Sequence, residues 1–179
     1  MRPDVRDLTQ ADGPALSAFF AEMPAEDRTF FQFDVDDPAV IDAYVSDDKR
    51  LRKAVVDDDG RLRALAALDP GLGWSAHVAD LVLLVSPRAR RQGLGKVLAR
   101  TMLIEAVNHG YKKVTVTIAS DNESAVEMFL RLGFEGEALL RDQLRNPGDG
   151  ELRDTVILAH LVDDTWSTMV TGGFEDAVA

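Results

Sequence analysis

The chain predicts an α/β fold in the broad sense, a mixed sheet with helices packed on its faces. Three observations carry this. Short apolar or β-branched runs, such as "DLVLLV" and "KKVTVTIAS", alternate with stretches whose apolar residues keep the helical period. Glycines stand where two of those helical stretches stop, at Gly110 and Gly133, the place of a left-handed C-terminal residue. The length of 179 residues suits one domain, residues 1–179, large enough to bury a core.

In chain order, "DVRDL" (Asp4 to Leu8) alternates polar and apolar residues and predicts a short strand. A helix is expected from about Asp12 to Ala21, with Leu16, Phe19 and Phe20 as its apolar stripe. "MPAEDRTFFQFDVDDP" (Met23 to Pro38) reads as a loop. Pro38 then suits the first position of a helix in "DDPAVIDAYVSDD", where no amide donor is missed. Two strands flank a turn at Asp57–Gly60 in "KAVVDDDGRLRALAALD". "HVADLVLLVSP" holds a near-continuous apolar strand of the kind buried on both faces. From Gly93 to His109, the residues Leu94, Val97, Leu98, Met102 and Ala106 follow the helical period. "KKVTVTIAS" is a β-branched strand, and "SDNESAVEMFLRLG" a helix that Ser120 and Glu123 would open as a capping box. "EALLRDQLRNPGDGELRDTVILAHLV" reads as a long hairpin around Asn146–Gly150, and Asp163 to Ala179 as a loosely docked tail.

Composition narrows the function classes. The N-terminus "MRPDVRDLTQADG" lacks an apolar core, so no secretory signal is expected, and no run approaches the ~20 apolar residues of a membrane span. No cysteine is present, which excludes disulfides, thiolate metal ligands and a cysteine nucleophile and fits a cytoplasmic location. With 31 acidic against 20 basic residues the net charge is −11, a field that repels nucleic acid and anionic membranes.

One segment reverses that charge. Residues 86–104 hold Arg88, Arg90, Arg91, Lys96 and Arg100 with no carboxylate, and Gly93 and Gly95 lie among them. The context is a strand, a basic glycine turn, then a helix start, whose free N–H groups and positive dipole end suit a phosphate. Glycines there let the main chain approach a diphosphate without a Cβ between. Neither nucleotide motif fits. "GLGKV" puts Val97 where a P-loop needs a hydroxyl for Mg²⁺, and a dinucleotide fingerprint would need Gly or Ala where Leu98 stands.

The spacing Arg90-x-x-Gly93-x-Gly95 resembles the Arg/Gln-x-x-Gly-x-Gly/Ala acyl-CoA motif of the GNAT superfamily of N-acyltransferases. "NESAVEMFLRLGF" (Asn122 to Phe134), about 30 residues further on, is similar to that family's N-x-x-A-x-x-x-Y-x-x-x-G-F signature. The likeness spans a core of about Val5 to Val162 and leaves 163–179 as a C-terminal tail. It implies a mixed, mostly antiparallel, splayed central sheet of about seven strands flanked by helices. It further implies transfer of an acetyl group from acetyl-CoA to a primary amine, of a small molecule or a peptide, by direct attack in a ternary complex without a metal. The main chain of Leu83 and Val85 would pair with the pantetheine arm as an added strand. Arg90, Arg91, Gln92, Gly93, Leu94, Gly95 and Lys96 would cradle the pyrophosphate, while Asn122, Ser124 and Phe129 would line the other side. A homodimer is compatible with the likeness.

The reaction needs a neutral amine, and a lysine-type amine of pKa ~10.4 is almost wholly protonated near neutrality. A carboxylate can take the proton as attack begins, often through water. Asp80 is the candidate base, because it precedes "LVLLV" where some similar protein-lysine acetyltransferases carry a catalytic glutamate. A strand-edge aspartate satisfying a turn is the other reading, and His77 is a second candidate base. The N–H of Val85 matches the usual donor to the thioester carbonyl. The departure from the family pattern is Phe129, where many members place a tyrosine that protonates the leaving thiolate. With a thiol pKa of ~8.5, that assistance helps without being mandatory. Glu26, Asp27, Asp34, Asp36 and Asp37 flank the acceptor side in similar proteins, either to attract a cation or as a solvated acidic face. The C-terminal hairpin resembles versions acting on protein or peptide amines. Phe129 also motivates a second class of function, an acyl-CoA-binding regulatory module with little catalysis. A third is an interaction domain whose basic turn holds an unrelated anion.

Overall fold

In a computed structural model, which describes residues 4–31 and 33–162, seven runs of strand-forming residues pair into one sheet. They are β1 (Val5–Asp7), β2 (Leu51–Val56), β3 (Leu62–Pro70), β4 (Val78–Val85), β5 (Lys113–Ala119), β6 (Glu135–Arg145) and β7 (Leu152–Leu161). Their order across the sheet is β1-β2-β3-β4-β5-β7-β6. Every neighbouring pair is antiparallel except β4 and β5. A crossover helix explains the exception, since parallel neighbours need a long connection. The helices are α1 (Gly13–Glu22), α2 (Ala25–Arg28), α3 (Pro38–Ser46), α4 (Leu94–Asn108) and α5 (Glu123–Arg131). The mixed, mostly antiparallel sheet expected from the sequence is therefore present. No helix among the described residues is long and apolar enough to cross a membrane.

Strand alternation divides the core between the two faces. Ala66, Leu68, Leu81 and Val114 turn to the face covered by α4 and α5, where they meet Leu98, Met102 and Phe129. Leu65, Ala67 and Leu84 turn to the other face, against Leu16 and Phe20 of α1 and Ile41 of α3. Alanines on β3 keep its surface low, so α4 packs close. β4 does carry core on both faces at Leu81 and Leu84, as its apolar run predicts, but Asp80 breaks that pattern with a carboxylate set among its neighbours with one edge exposed.

The chain ends its helices as expected. Pro38 opens α3, with Asp37 accepting the Ala39 N–H at 2.9 Å, and Gly110 and Gly133 follow α4 and α5 at φ 75° and 83°. Two expectations are corrected. Met23–Pro38 is not wholly a loop: Pro24 starts the one-turn helix α2, with Glu26 and Asp27 in its acidic first turn. Ser120 and Glu123 form no capping box, because the Ser120 N–H donates to the Asp154 carbonyl and continues the sheet. Asn122 caps α5 instead, accepting the Ala125 N–H at 3.3 Å. The hairpin of β6 and β7 closes at its predicted turn, with the Asn146 N–H donating to Glu151 O at 2.8 Å. The tail predicted over Asp163–Ala179 lies outside the described residues.

A buried aspartate anchors the entry to α1. The Asp12 carboxylate accepts from Arg6 at 2.6 and 2.8 Å, and from the Thr9 N–H and hydroxyl at 2.7 and 2.8 Å. The Arg6 hydrogen bonds hold its carboxyl far below the usual carboxylate range, against the opposing effect of burial. Because the folded value is depressed, this contribution is complete above the unfolded value of about 3.9 and is lost as pH falls below it. Asp12→Ala should therefore cost on the order of 2 kcal/mol near neutral pH. In urea titrations the gap from the parent chain should narrow as pH falls from about 5 to about 3.

Candidate functional site

The two central strands separate. β4 and β5 pair only at Val78↔Lys113, Ala79↔Val114 and Asp80↔Thr115, whereas β3 follows β4 from Ala79 to Val85 and β7 follows β5 along its whole length. Beyond Asp80 the sheet opens as a V. The Ser86 N–H donates to Arg63 O on β3, and Gly71 N–H to Val78 O, which fixes the alternation along β4. The main-chain groups of Leu81, Leu83 and Val85 therefore face the gap. Leu83 and Val85, the two positions proposed for an added-strand contact, stand on its open side.

The basic glycine turn lies at the end of that strand. After Pro87–Ala89, Arg91 takes φ 61° and Gly93 takes φ 80°, and Gly93 caps α4. The first-turn N–H groups of Leu94, Gly95 and Lys96 have no carbonyl one turn earlier. Alternating left-handed residues before a helix start form a concave nest of N–H groups suited to an anion. A Cβ at position 95 would lie 3.4 Å from Met128 Sδ, 3.6 Å from Leu83 Cδ2 and 3.7 Å from Val85 Cγ2. Gly95 thus marks where the start of α4, the gap face of β4 and α5 converge, so both sequence motifs meet at one place. Arg91 and Lys96 are exposed. Gln92 accepts from Arg63 at 3.5 Å and donates to the Arg88 carbonyl at 3.2 Å. Arg90 turns aside: its Nε donates to Val85 O at 3.3 Å and its guanidinium pairs with Asp27.

On α5, Asn122 Oδ1 also accepts from the Ser124 hydroxyl at 3.2 Å, and both residues are exposed. Phe129 is 3% exposed and packs edge-on against Phe134, centroids 5.0 Å apart. It is a core residue.

Asp80 stands at the apex of the V, on the α1/α3 face. It accepts the Thr115 hydroxyl at 2.8 Å. Burial pushes its carboxyl above the usual carboxylate range; the Thr115 hydrogen bond opposes the shift, and the charge of Asp69 adds to it. A carboxylate so raised, with an exposed edge, is suited to accept a proton. His77 is exposed, and its carbonyl ties down the start of β5 by accepting the Lys112 N–H at 2.8 Å.

The segment around α2 reaches across the gap. Asp27 pairs with Arg90 at the end of β4, and Glu26 lines a cavity of about 570 Å³ with Asp121, Asp149 and Arg153 on the far side. The other acidic residues of this region have local tasks. Asp36 pairs with Arg28 at 2.7 Å, Asp34 accepts the Asp36 N–H, and Asp37 caps α3.

Sequence reasoning missed Asp69, Arg50, Arg52 and Tyr44. Asp69 opposes Asp80 in the β3–β4 register, so counting back through the hairpin would have placed it. No local motif marks the others.

A profile of the acetyltransferase (GNAT) family matches residues 15–134, and the chain belongs to that family. Solved structures agree in fold. An acetyltransferase of GNAT family from Streptococcus pneumoniae superposes with a TM-score of 0.78 at 19% identity, over 90% of this chain and 100% of that one. An N-acetyltransferase from Staphylococcus aureus gives 0.77 at 15%, over 91% and 100%. A GNAT superfamily phosphinothricin acetyltransferase from Sinorhizobium meliloti, solved in complex with AcCoA, gives 0.75 at 16%, over 92% and 90%.

The two glycines of the turn should behave differently. Gly93→Ala forces a side chain into a left-handed conformation and should lose on the order of 1 kcal/mol. Gly95→Ala meets only ordinary contacts in a helix and should hold or slightly raise stability. Urea denaturation of both variants measures the contrast.

Proposed function

We propose that the protein is an acetyl-CoA-dependent N-acetyltransferase acting on a primary amine by direct attack in a ternary complex. The single observation that carries this reading is the convergence at Gly95 of an N–H nest, the strand β4 with its unpaired edge, and Met128 of α5. The residues present fit the carrier. Leu94, Gly95 and Lys96 offer N–H donors to a diphosphate, Arg91 and Lys96 add charge, and the missing Cβ of Gly95 leaves room for close approach. Leu83 and Val85 offer main-chain groups to a pantetheine arm along the gap. Acetyl-CoA would supply an acyl group activated as a thioester.

Asp80 takes the amine proton through bridging waters as the nitrogen attacks the carbonyl carbon, because five strand residues, about 16 Å, separate it from Val85. The Val85 N–H donates to the carbonyl oxygen as negative charge gathers there. The C–N bond forms, the C–S bond breaks, and solvent protonates the thiolate, because Phe129 has no proton to give. Similar solved structures include a spermidine/spermine N-acetyltransferase from Vibrio cholerae and a ribosomal-protein-alanine N-acetyltransferase from Brucella melitensis, which supports an amine acceptor of either a small molecule or a protein.

Calorimetry should show saturable acetyl-CoA binding, weakened in Gly95→Ala despite its sound fold. The absence of binding would end this reading. A panel of amino acids, polyamines, aminoglycosides and peptides, followed by free-thiol release, should identify the acceptor; saturable binding without release on any amine would favour the regulatory module. Asp80→Asn should lower turnover by about 100-fold or more while leaving acetyl-CoA affinity unchanged.

A further inference from the structure

Asp80 is not alone at the apex of the V. Asp69 is its direct partner across the β3–β4 ladder, so both carboxylates project from the same face, side by side. Like charges so placed are unfavourable unless something holds them. Arg50 lies 3.3 Å from Asp69 Oδ1, and the guanidinium of Arg52, 7% exposed, lies in the same group. Both arginines stand over the ring of Tyr44, at 5.5 and 5.1 Å from its centroid. Arg52 is further held by donating to the Asp47 carbonyl.

This cluster is poorly satisfied as a purely structural device. Asp69 Oδ1, Arg52 Nη1 and the Tyr44 hydroxyl are buried without a hydrogen bond among the described residues. Buried polar atoms normally find partners, and a network that meets Asp69 Oδ1 only by the ion pair with Arg50 and leaves Arg52 Nη1 and the Tyr44 hydroxyl unmatched is a costly way to hold a sheet edge. Its position, one residue across from the candidate base, gives that cost a use.

We propose that Asp69 is a positioning residue for the acetyl-transfer reaction: held by Arg50 and Arg52, its carboxylate sets the electrostatic surroundings in which Asp80 accepts the amine proton. This inference rests on the assignment of Asp80 as base. Besides burial, two groups bear directly on Asp80, Thr115 and Asp69. Asp69 faces it from β3, and behind Asp69 stand Arg50 and Arg52 at β2 and Tyr44 and Asp47 at α3. On the β5 side Thr115 donates to it, while the Lys113 ammonium is taken by Glu137 of β6 at 2.6 Å. Asp69 is thus the one carboxylate with a direct electrostatic effect on Asp80, and it acts in the same sense as burial. Burial pushes the Asp69 carboxyl above the usual carboxylate range, and the charges of Arg50 and Arg52 oppose that shift.

The test is the pH profile of kcat/KM for the full chain with the best amine from the acceptor panel. Removing the charge of Asp69 makes Asp80 easier to ionise, so the acid limb should move to lower pH in Asp69→Asn. Asp69→Thr, a β-branched neutral residue suited to a strand, should move it the same way if the asparagine variant folds poorly. Asp69→Glu should keep the limb near its original place. Acetyl-CoA affinity, measured by calorimetry, should be unchanged in all three. An unmoved acid limb in both neutral variants, with Asp80→Asn still inactive, overturns the role of Asp69 and spares the base assignment. An Asp80→Asn enzyme that keeps both turnover and the limb removes the base assignment, and the role of Asp69 with it.

Discussion

The hydrogen bonds between β4 and β5 end after three register pairs, at Asp80 and Thr115. That ending governs the rest of the molecule. A parallel pair is held by slanted bonds and is easily abandoned when each strand has a full antiparallel partner on its other side. β3 supplies that partner for β4, and β7 for β5. The sheet therefore stays intact while its middle opens, and one row of β4 main-chain groups is left without a strand. Backbone donors and acceptors are seldom left unmatched in a half-buried place. Here Arg90 reaches back to Val85 O, which occupies one of them.

Charge follows the same geometry. The chain is acidic as a whole, so a small anion would be repelled from most of its surface. Of the cations in residues 86–104, Arg91 and Lys96 lie exposed beside the start of α4, where helix dipole and free N–H groups point the same way. The opposite face, across the sheet, carries Asp80 and Asp69. One sheet thus separates an anion-favouring side from a cation-favouring one, and the gap is the place where they meet. Asp27 and Arg90 join the two sides, because the segment around α2 lies over the end of β4.

Much of this was legible from residues alone. The seven strands, the helix opened by Pro38, the stops at Gly110 and Gly133 and the hairpin turn all follow local rules of period and turn chemistry, and local rules were enough. The motif of Arg90, Gly93 and Gly95 was readable because its residues are close in sequence. What escaped was set by neighbours distant in the chain. Ser120 has the right spacing for a cap, yet the sheet claims its N–H through Asp154 and leaves capping to Asn122. α2 is one turn long, too short for any period to reveal. Asp69 matters because of its partner across a hairpin, and a carboxylate in "AALDPG" looks like ordinary turn chemistry until the strands are paired.

Phe129 shows how tertiary placement decides what a motif residue does. It keeps its position in the signature, but its ring is packed on Phe134 inside the core beneath α5. Replacing a buried phenol by a phenyl ring removes a hydroxyl that would otherwise need a partner, which favours the fold. Thiolate is a tolerable leaving group near neutral pH, whereas an ammonium cannot attack at all. In the proposed reaction the proton that must be moved early is the one on the amine, and Asp80 and Asp69 stand on the face that would receive it. Under that proposal Phe129 gives no proton to the thiolate while Asp80 and Asp69 stand together on the other face, an arrangement that favours deprotonation of the nucleophile. In the same proposed reaction the balance between Asp80, Asp69 and the two arginines governs the amine proton, and the open gap would bring the carrier to it.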